Sequence, residues 1–181
     1  DDPGVRNEHW MQHLPDSLHL SELSIPGTHN TMAREGVLWA WCQSLSLILQ
    51  LLMGIRFLDI RCRHFRNGLP IHHEAYYQNA DLADVLSTSI NFLEAHPSEI
   101  ILMRIKQEYK AEGNNMTFLE SVQVAFEEFP RERFWIKNQI PSLRECRGKI
   151  VIIDDFSGGL SGILWGGGNI DKEDAWQSIS A

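Results

Sequence analysis

Apolar and polar positions alternate through Ile55-Arg56-Phe57-Leu58-Asp59-Ile60-Arg61, the period of a half-buried strand. Residues 99–105 and 149–154 are near-continuous apolar runs, as expected of strands covered on both faces. Two weaker strands are predicted: Leu23-Ser24-Ile25, which stops at Pro26-Gly27, and Leu69-Pro70-Ile71-His72-His73. Helical spacing fills the gaps. Residues 80–96 carry Leu82, Val85, Leu86, Ile90 and Leu93 at three- and four-residue intervals and stop at Pro97-Ser98. Residues 118–129 place Leu119, Val122, Phe126 and Phe129 on one face. Residues 43–53 read as a third helix, ended by Gly54. Strands alternating with helices predict an α/β fold with parallel βαβ units, which a barrel or a doubly wound sheet would satisfy equally. The glycines at 158–159 and 166–168 read as loop; they are not a GxGxxG turn after a strand, so no nucleotide site is predicted.

At 181 residues, 43% hydrophobic and 22% charged, the chain suits one domain over 1–181 with a sizeable core. A formal net charge of -8 argues against nucleic acid as a partner, because phosphate-binding surfaces are basic. Six Trp suggest an interface with a membrane or a partner. Cys42, Cys62 and Cys146 show no CxxC spacing, so neither a zinc site nor a redox motif is expected. Three buried thiols, or one disulfide with one thiol left over, both fit. The polar opening Asp1-Asp2-Pro3-Gly4 shows no secretory leader and equally suits a processed terminus. Asn115-Met116-Thr117 matches the short glycosylation pattern. An extracellular, membrane-peripheral setting is favoured over the cytoplasm.

Polar residues collect at predicted strand ends. His29 and Asn30 follow the first strand, and His73 ends the third. Asp59 and Arg61 lie two apart on the second strand and share a face, which Arg63 extends; Arg104 and Lys106 do the same on the fourth. The carboxyl ends of parallel strands are where α/β barrels place their chemistry. Two imidazoles serve as base and acid near neutral pH, while Arg and Lys hold a phosphate. Each residue also has a plain reading: a capping His, a structural Asp59–Arg61 pair, a solvated Lys106.

Five segments carry a family resemblance. Ser24-Ile25-Pro26-Gly27-Thr28-His29-Asn30 resembles the opening motif of the phosphatidylinositol-specific phospholipase C X domain. Gly54-Ile55-Arg56-Phe57-Leu58-Asp59-Ile60-Arg61, Leu69-Pro70-Ile71-His72-His73, Ile101-Leu102-Met103-Arg104-Ile105-Lys106 and Arg147-Gly148-Lys149-Ile150-Val151-Ile152-Ile153 resemble its next four, in order. The resemblance implies a TIM-type (β/α) barrel, here with about five of eight strands. It implies a phosphodiesterase of the lyase type that makes diacylglycerol and a cyclic inositol phosphate. His29 would be the base and His73 the acid. Asp59 would hold Arg61 against the phosphate, and Asn30, Arg104 and Lys106 would contact substrate. The substrate would be phosphatidylinositol or a glycosylated anchor at a membrane surface.

Cations at Arg61 and Lys106, where calcium-dependent relatives carry acids, predict a reaction without calcium or any other metal. Asn30 departs from the Asp of the metal-independent type, and Asp155 from its basic inositol-binding residue. A second chain completing the barrel is a possible partner. Trp39 and Trp41 are assigned to lipid contact, and Leu47 to Met53 to packing. A non-catalytic inositol-lipid or protein binder is the alternative. A glycerophosphodiester phosphodiesterase fits less well, because it relies on acidic metal ligands.

Overall fold

The structure, a computed structural model, describes residues 6–37 and 41–166. Three parallel strands form its centre: β2 (Phe57–Cys62), β5 (Ile101–Gln107) and β7 (Ile150–Asp155). Each outer edge of this trio is shared by two short pieces. On β2, the early half pairs with parallel β1 (Gly27–Thr28) and Cys62 pairs with antiparallel β3 (Pro70–His73). On β7, the early half pairs with β6 (Phe134–Trp135) and the late half with β8 (Ile163–Leu164). A further strand, β4 (Tyr76–Asp81), forms a hairpin with β3. The sheet runs β4-β3-β2-β5-β7-β6 and does not close among the described residues, so it is an arc of a TIM-type barrel.

The helices follow from local chemistry. In α2 (Leu82–Ala95), Asp81 and Asp84 cap the amino end reciprocally, and Leu82, Val85, Leu86, Ile90 and Leu93 are buried. Thr117 and Glu120 cap α3 (Phe118–Glu127) in the same way. Ser142 and Glu145 repeat the device on the short α4 (Leu143–Cys146). Helix α1 (Leu47–Leu52) buries Leu47, Gln50 and Leu51.

The register Asp59↔Arg104↔Ile153 and Arg61↔Lys106↔Asp155 fixes which side chains share a face. One face of the trio packs Leu58, Ile60, Met103, Ile105 and Ile152 against the helices. The other, facing the barrel interior, begins with Phe57, Leu102 and Val151, and becomes charged toward the carboxyl ends.

Three sequence expectations are corrected. The first strand is Gly27–Thr28, because Pro26 has no N–H and the ladder starts at its carbonyl, which accepts from Arg56 and Phe57 N–H. The third is antiparallel, part of a hairpin rather than a βαβ unit. Helix α1 does not pack along its whole length: Ile48, Leu49, Leu52 and Met53 are exposed. Of the cysteines, Cys62 and Cys146 are buried while Cys42 is exposed, and no disulfide joins them. Burial pushes both buried thiols up, Cys146 to about 12, so neither is a nucleophile near neutral pH.

Candidate active site

Asp59 is the centre of the charged face. Its carboxylate side chain is 2% exposed and collects donors from three elements. The Asn30 backbone N–H donates to Oδ2 at 3.0 Å, and Arg61 donates to the same oxygen from Nε at 3.1 Å and Nη2 at 3.0 Å. From β5, Arg104 Nη1 donates to Oδ1 at 3.0 Å. Burial alone would raise the Asp59 pKa. The Arg61 guanidinium, the Asn30 amide and Arg104 outweigh it and hold the carboxyl below its ordinary value.

The turn after β1 carries His29. Asn30 adopts φ 44°, a left-handed conformation that Asn tolerates better than most side chains. The turn is fixed by Thr31, whose N–H donates to Asp59 O and whose hydroxyl accepts from Asp59 N–H. His29 is half-exposed, with Nδ1 3.7 Å from Asp59 Oδ2 and Nε2 3.1 Å from Asn30 Nδ2. A proton on Nδ1 would face the Asp59 carboxylate, and Nε2 would then accept from the Asn30 amide.

The histidine pair at the end of β3 divides by alternation. His72 is buried, stacked at 6.5 Å on Tyr109, with Nδ1 3.3 Å from Glu74 O. Burial lowers its pKa; the Glu74 carbonyl opposes this, Arg63 adds to it and Glu108 opposes it. His73 is partly exposed and pairs with Tyr76 across the hairpin.

The two cations of β5 differ. Arg104 is engaged on every side: Asp59 on Nη1, Asp155 on Nε and Nη2, and the Trp165 ring 4.1 Å from its guanidinium carbon. These contacts hold its guanidinium between two carboxylates and an indole ring. Lys106 is a third exposed and its ammonium lies 3.8 Å from Glu108 Oε2. Asp59 therefore brings together His29, Asn30, Arg61 and Arg104, while Lys106 and the His73 turn reach Arg61 through Glu108. Trp41 stands apart, 55% exposed, its indole N–H donating to Gly36 O at 3.2 Å. Trp39 lies outside the described residues.

Sequence reasoning missed Glu108 and Trp165. Glu108 continues the two-residue row of Arg104 and Lys106, a signal legible in the chain. Trp165 follows a glycine-rich loop and only the fold brings it to Arg104. Among the described residues, no group of three His, Cys, Asp or Glu side chains is arranged to hold a metal ion.

Comparison with known proteins identifies relatives over most of the chain. A 1-phosphatidylinositol phosphodiesterase of Listeria monocytogenes is 37% identical over 164 residues, covering 83% of this chain and 50% of that protein. A protein of the same name from Staphylococcus aureus is 31% identical over 184 residues, covering 87% of this chain and 57% of its own length. The solved S. aureus phosphatidylinositol-specific phospholipase C superposes with a TM-score of 0.81 at 29% identity, over 87% of this chain and 56% of that one. The chain spans about half the length of the curated relatives it matches. The family model described as phosphatidylinositol-specific phospholipase C, X domain, matches residues 17–155, and the chain belongs to that family.

Proposed function

We propose that this chain carries the histidine base and acid of a phospholipase C that cleaves phosphatidylinositol-type lipids, free or in glycosylated anchors, to diacylglycerol and a cyclic inositol phosphate. His29 Nε2 takes the proton of the inositol 2-hydroxyl, and that oxygen attacks the adjacent phosphorus. The bond from phosphorus to the diacylglycerol oxygen breaks as His73 returns a proton to the leaving oxygen. Arg61, held from behind by Asp59, faces the phosphoryl oxygens where negative charge builds, and Lys106 supplies a second positive charge. The observation that carries this reading is the His29 ring beside the Asp59 carboxylate, Nδ1 3.7 Å from the oxygen that also accepts from Arg61.

The reaction needs no metal on this reading. Asp59, Asp155 and Glu108 are each turned toward a guanidinium or an ammonium, so the positive charge at the site comes from side chains. Catalysis takes place on a membrane surface. The exposed Trp41, Ile48, Leu49, Leu52 and Met53 provide an apolar contact close in sequence to the His29 turn, and Trp39 belongs to the same segment. Further strands, of this chain or of a second one, complete the barrel at the open edges of the sheet.

The test is release of cyclic inositol phosphate from phosphatidylinositol vesicles with excess chelator. Wild type turns over, and His29→Ala loses at least about 10³-fold. A folded wild type that binds vesicles without turnover would instead establish the lipid binder. The Asn30 amide on His29 Nε2 favours that second reading, because it occupies the lone pair the base uses.

A further inference from the structure

Glu108 lies one residue beyond β5, its side chain mostly buried and its N–H donating to Cys62 O at 2.8 Å. Its two oxygens face different parts of the site. Oε2 lies 3.6 Å from Arg61 Nη1 and 3.8 Å from Lys106 Nζ. Oε1 accepts the Glu74 N–H at 3.3 Å. Glu74 directly follows His73 and adopts φ 50°, a left-handed conformation that a glutamate holds only when its surroundings enforce it. His72, immediately before His73, is clamped by its ring stack on Tyr109, the residue after Glu108.

We propose that Glu108 is a positioning residue that fixes the turn carrying His73 relative to the Arg61–Lys106 phosphate site. This rests on the functional reading above. Only a carboxylate presents acceptors at both ends. A glutamine in its place must turn an amide NH₂ either toward the two cations or toward the Glu74 N–H. In this role Glu108 works through the Glu74 N–H. It acts through the backbone, by holding the acid where the leaving oxygen will be.

The chemistry supplies a readout that simple loss of structure would not give. A diacylglycerol alkoxide leaves poorly without a proton, whereas p-nitrophenolate leaves unaided. Misplacing His73 therefore harms phosphatidylinositol cleavage and largely spares cleavage of p-nitrophenyl inositol phosphate. Misplacing Arg61 harms both. In Glu108→Gln of the full chain, kcat on phosphatidylinositol should fall about 30-fold more than kcat on the p-nitrophenyl ester. Equal losses on the two substrates overturn the proposal.

A second arm needs no activity. In NMR of the same variant, the Glu74 amide should exchange about tenfold faster and the His73 ring resonances should move. The ring of His64, hydrogen-bonded to Ser121 in the core, should stay in place as the internal control. Unchanged Glu74 exchange and unchanged His73 signals overturn the proposal. Should Glu108→Gln fail to fold, Glu108→Asp keeps the charge but shortens the reach to Glu74, and the same readouts apply. A wild type inactive on both substrates sinks the catalytic reading alone, and the NMR arm still decides Glu108.

Discussion

Arginine–carboxylate pairs support both ends of the central strands, in opposite ways. At the amino ends, Arg56 is fully buried and all its donors are used. Nε donates to Glu99 at 3.0 Å, Nη1 to the carbonyls of Leu51 and Ile55, and Nη2 to the carbonyls of Asn7 and Glu8, with the Glu99 carboxylate also 2.8 Å from Nη2. The Phe92 ring covers the guanidinium at 4.7 Å. Glu99 in turn accepts the Met11 N–H and the Ser98 hydroxyl. At the carboxyl ends, Arg61 has one close carboxylate and one looser contact, Lys106 keeps a third of its surface in solvent, and His29 about half. The same residue types build a closed joint at one end and a site with room for an anionic ligand at the other. In barrels of this kind stability concentrates at the amino ends and chemistry at the carboxyl ends.

The sharpest way to break that comparison is Arg56→Ala. It leaves the Glu99 charge buried without its cation and removes the guanidinium donors to the carbonyls of residues 7, 8, 51 and 55. The expected cost is about 3–5 kcal/mol in denaturant unfolding, with the N-terminal segment released first. A loss below about 1 kcal/mol would mean that the amino-end joint is ornamental and that the two ends do not divide the labour.

Much of this architecture can be read from the chain, and the failures have physical causes. Residues 101–103 and 150–153 are apolar on both faces, so these two central strands are plain in the sequence. Strand β4 was hidden because its inward positions include Gln78, which is buried by accepting the Arg34 and Glu35 N–H groups. A period of two reveals a strand but not its direction, so the antiparallel course of β3 was invisible. The same period joined Asp59 to Arg61. It could not show that Arg104 would meet both Asp59 and Asp155, which depends on the register between three separated segments.

Asp59→Asn sharpens the comparison through pH. The folded Asp59 pKa lies below its ordinary 3.8, with burial opposing and Arg61, the Asn30 amide and Arg104 prevailing. A depressed carboxyl contributes stability that is present above the unfolded pKa and is lost as pH falls through the folded one. Asp59→Asn should therefore cost about 2 kcal/mol near neutral pH and progressively less below about pH 4. Unfolding midpoints across pH 2–7 for both proteins test this. A gap that stays constant into acid would show that the carboxylate charge contributes little, leaving only its shape.

The smallest expected change in stability falls on α1, where one turn of helix faces two environments. Leu51 is fully buried, whereas Leu49 is 47% exposed and its neighbours Ile48, Leu52 and Met53 are exposed with it. Residues 37–53 contain no charged side chain, so any lipid contact made here draws on apolar burial and not on attraction to anionic headgroups. Leu49→Ser should leave the unfolding free energy within about 0.5 kcal/mol, since it removes little packing. Partition onto neutral vesicles should weaken about fivefold, the loss expected from partial burial of one leucine side chain, and added salt should alter neither value. Destabilisation of Leu49→Ser by about 2 kcal/mol would instead mean that this face is covered by protein, and would move the membrane contact elsewhere on the rim.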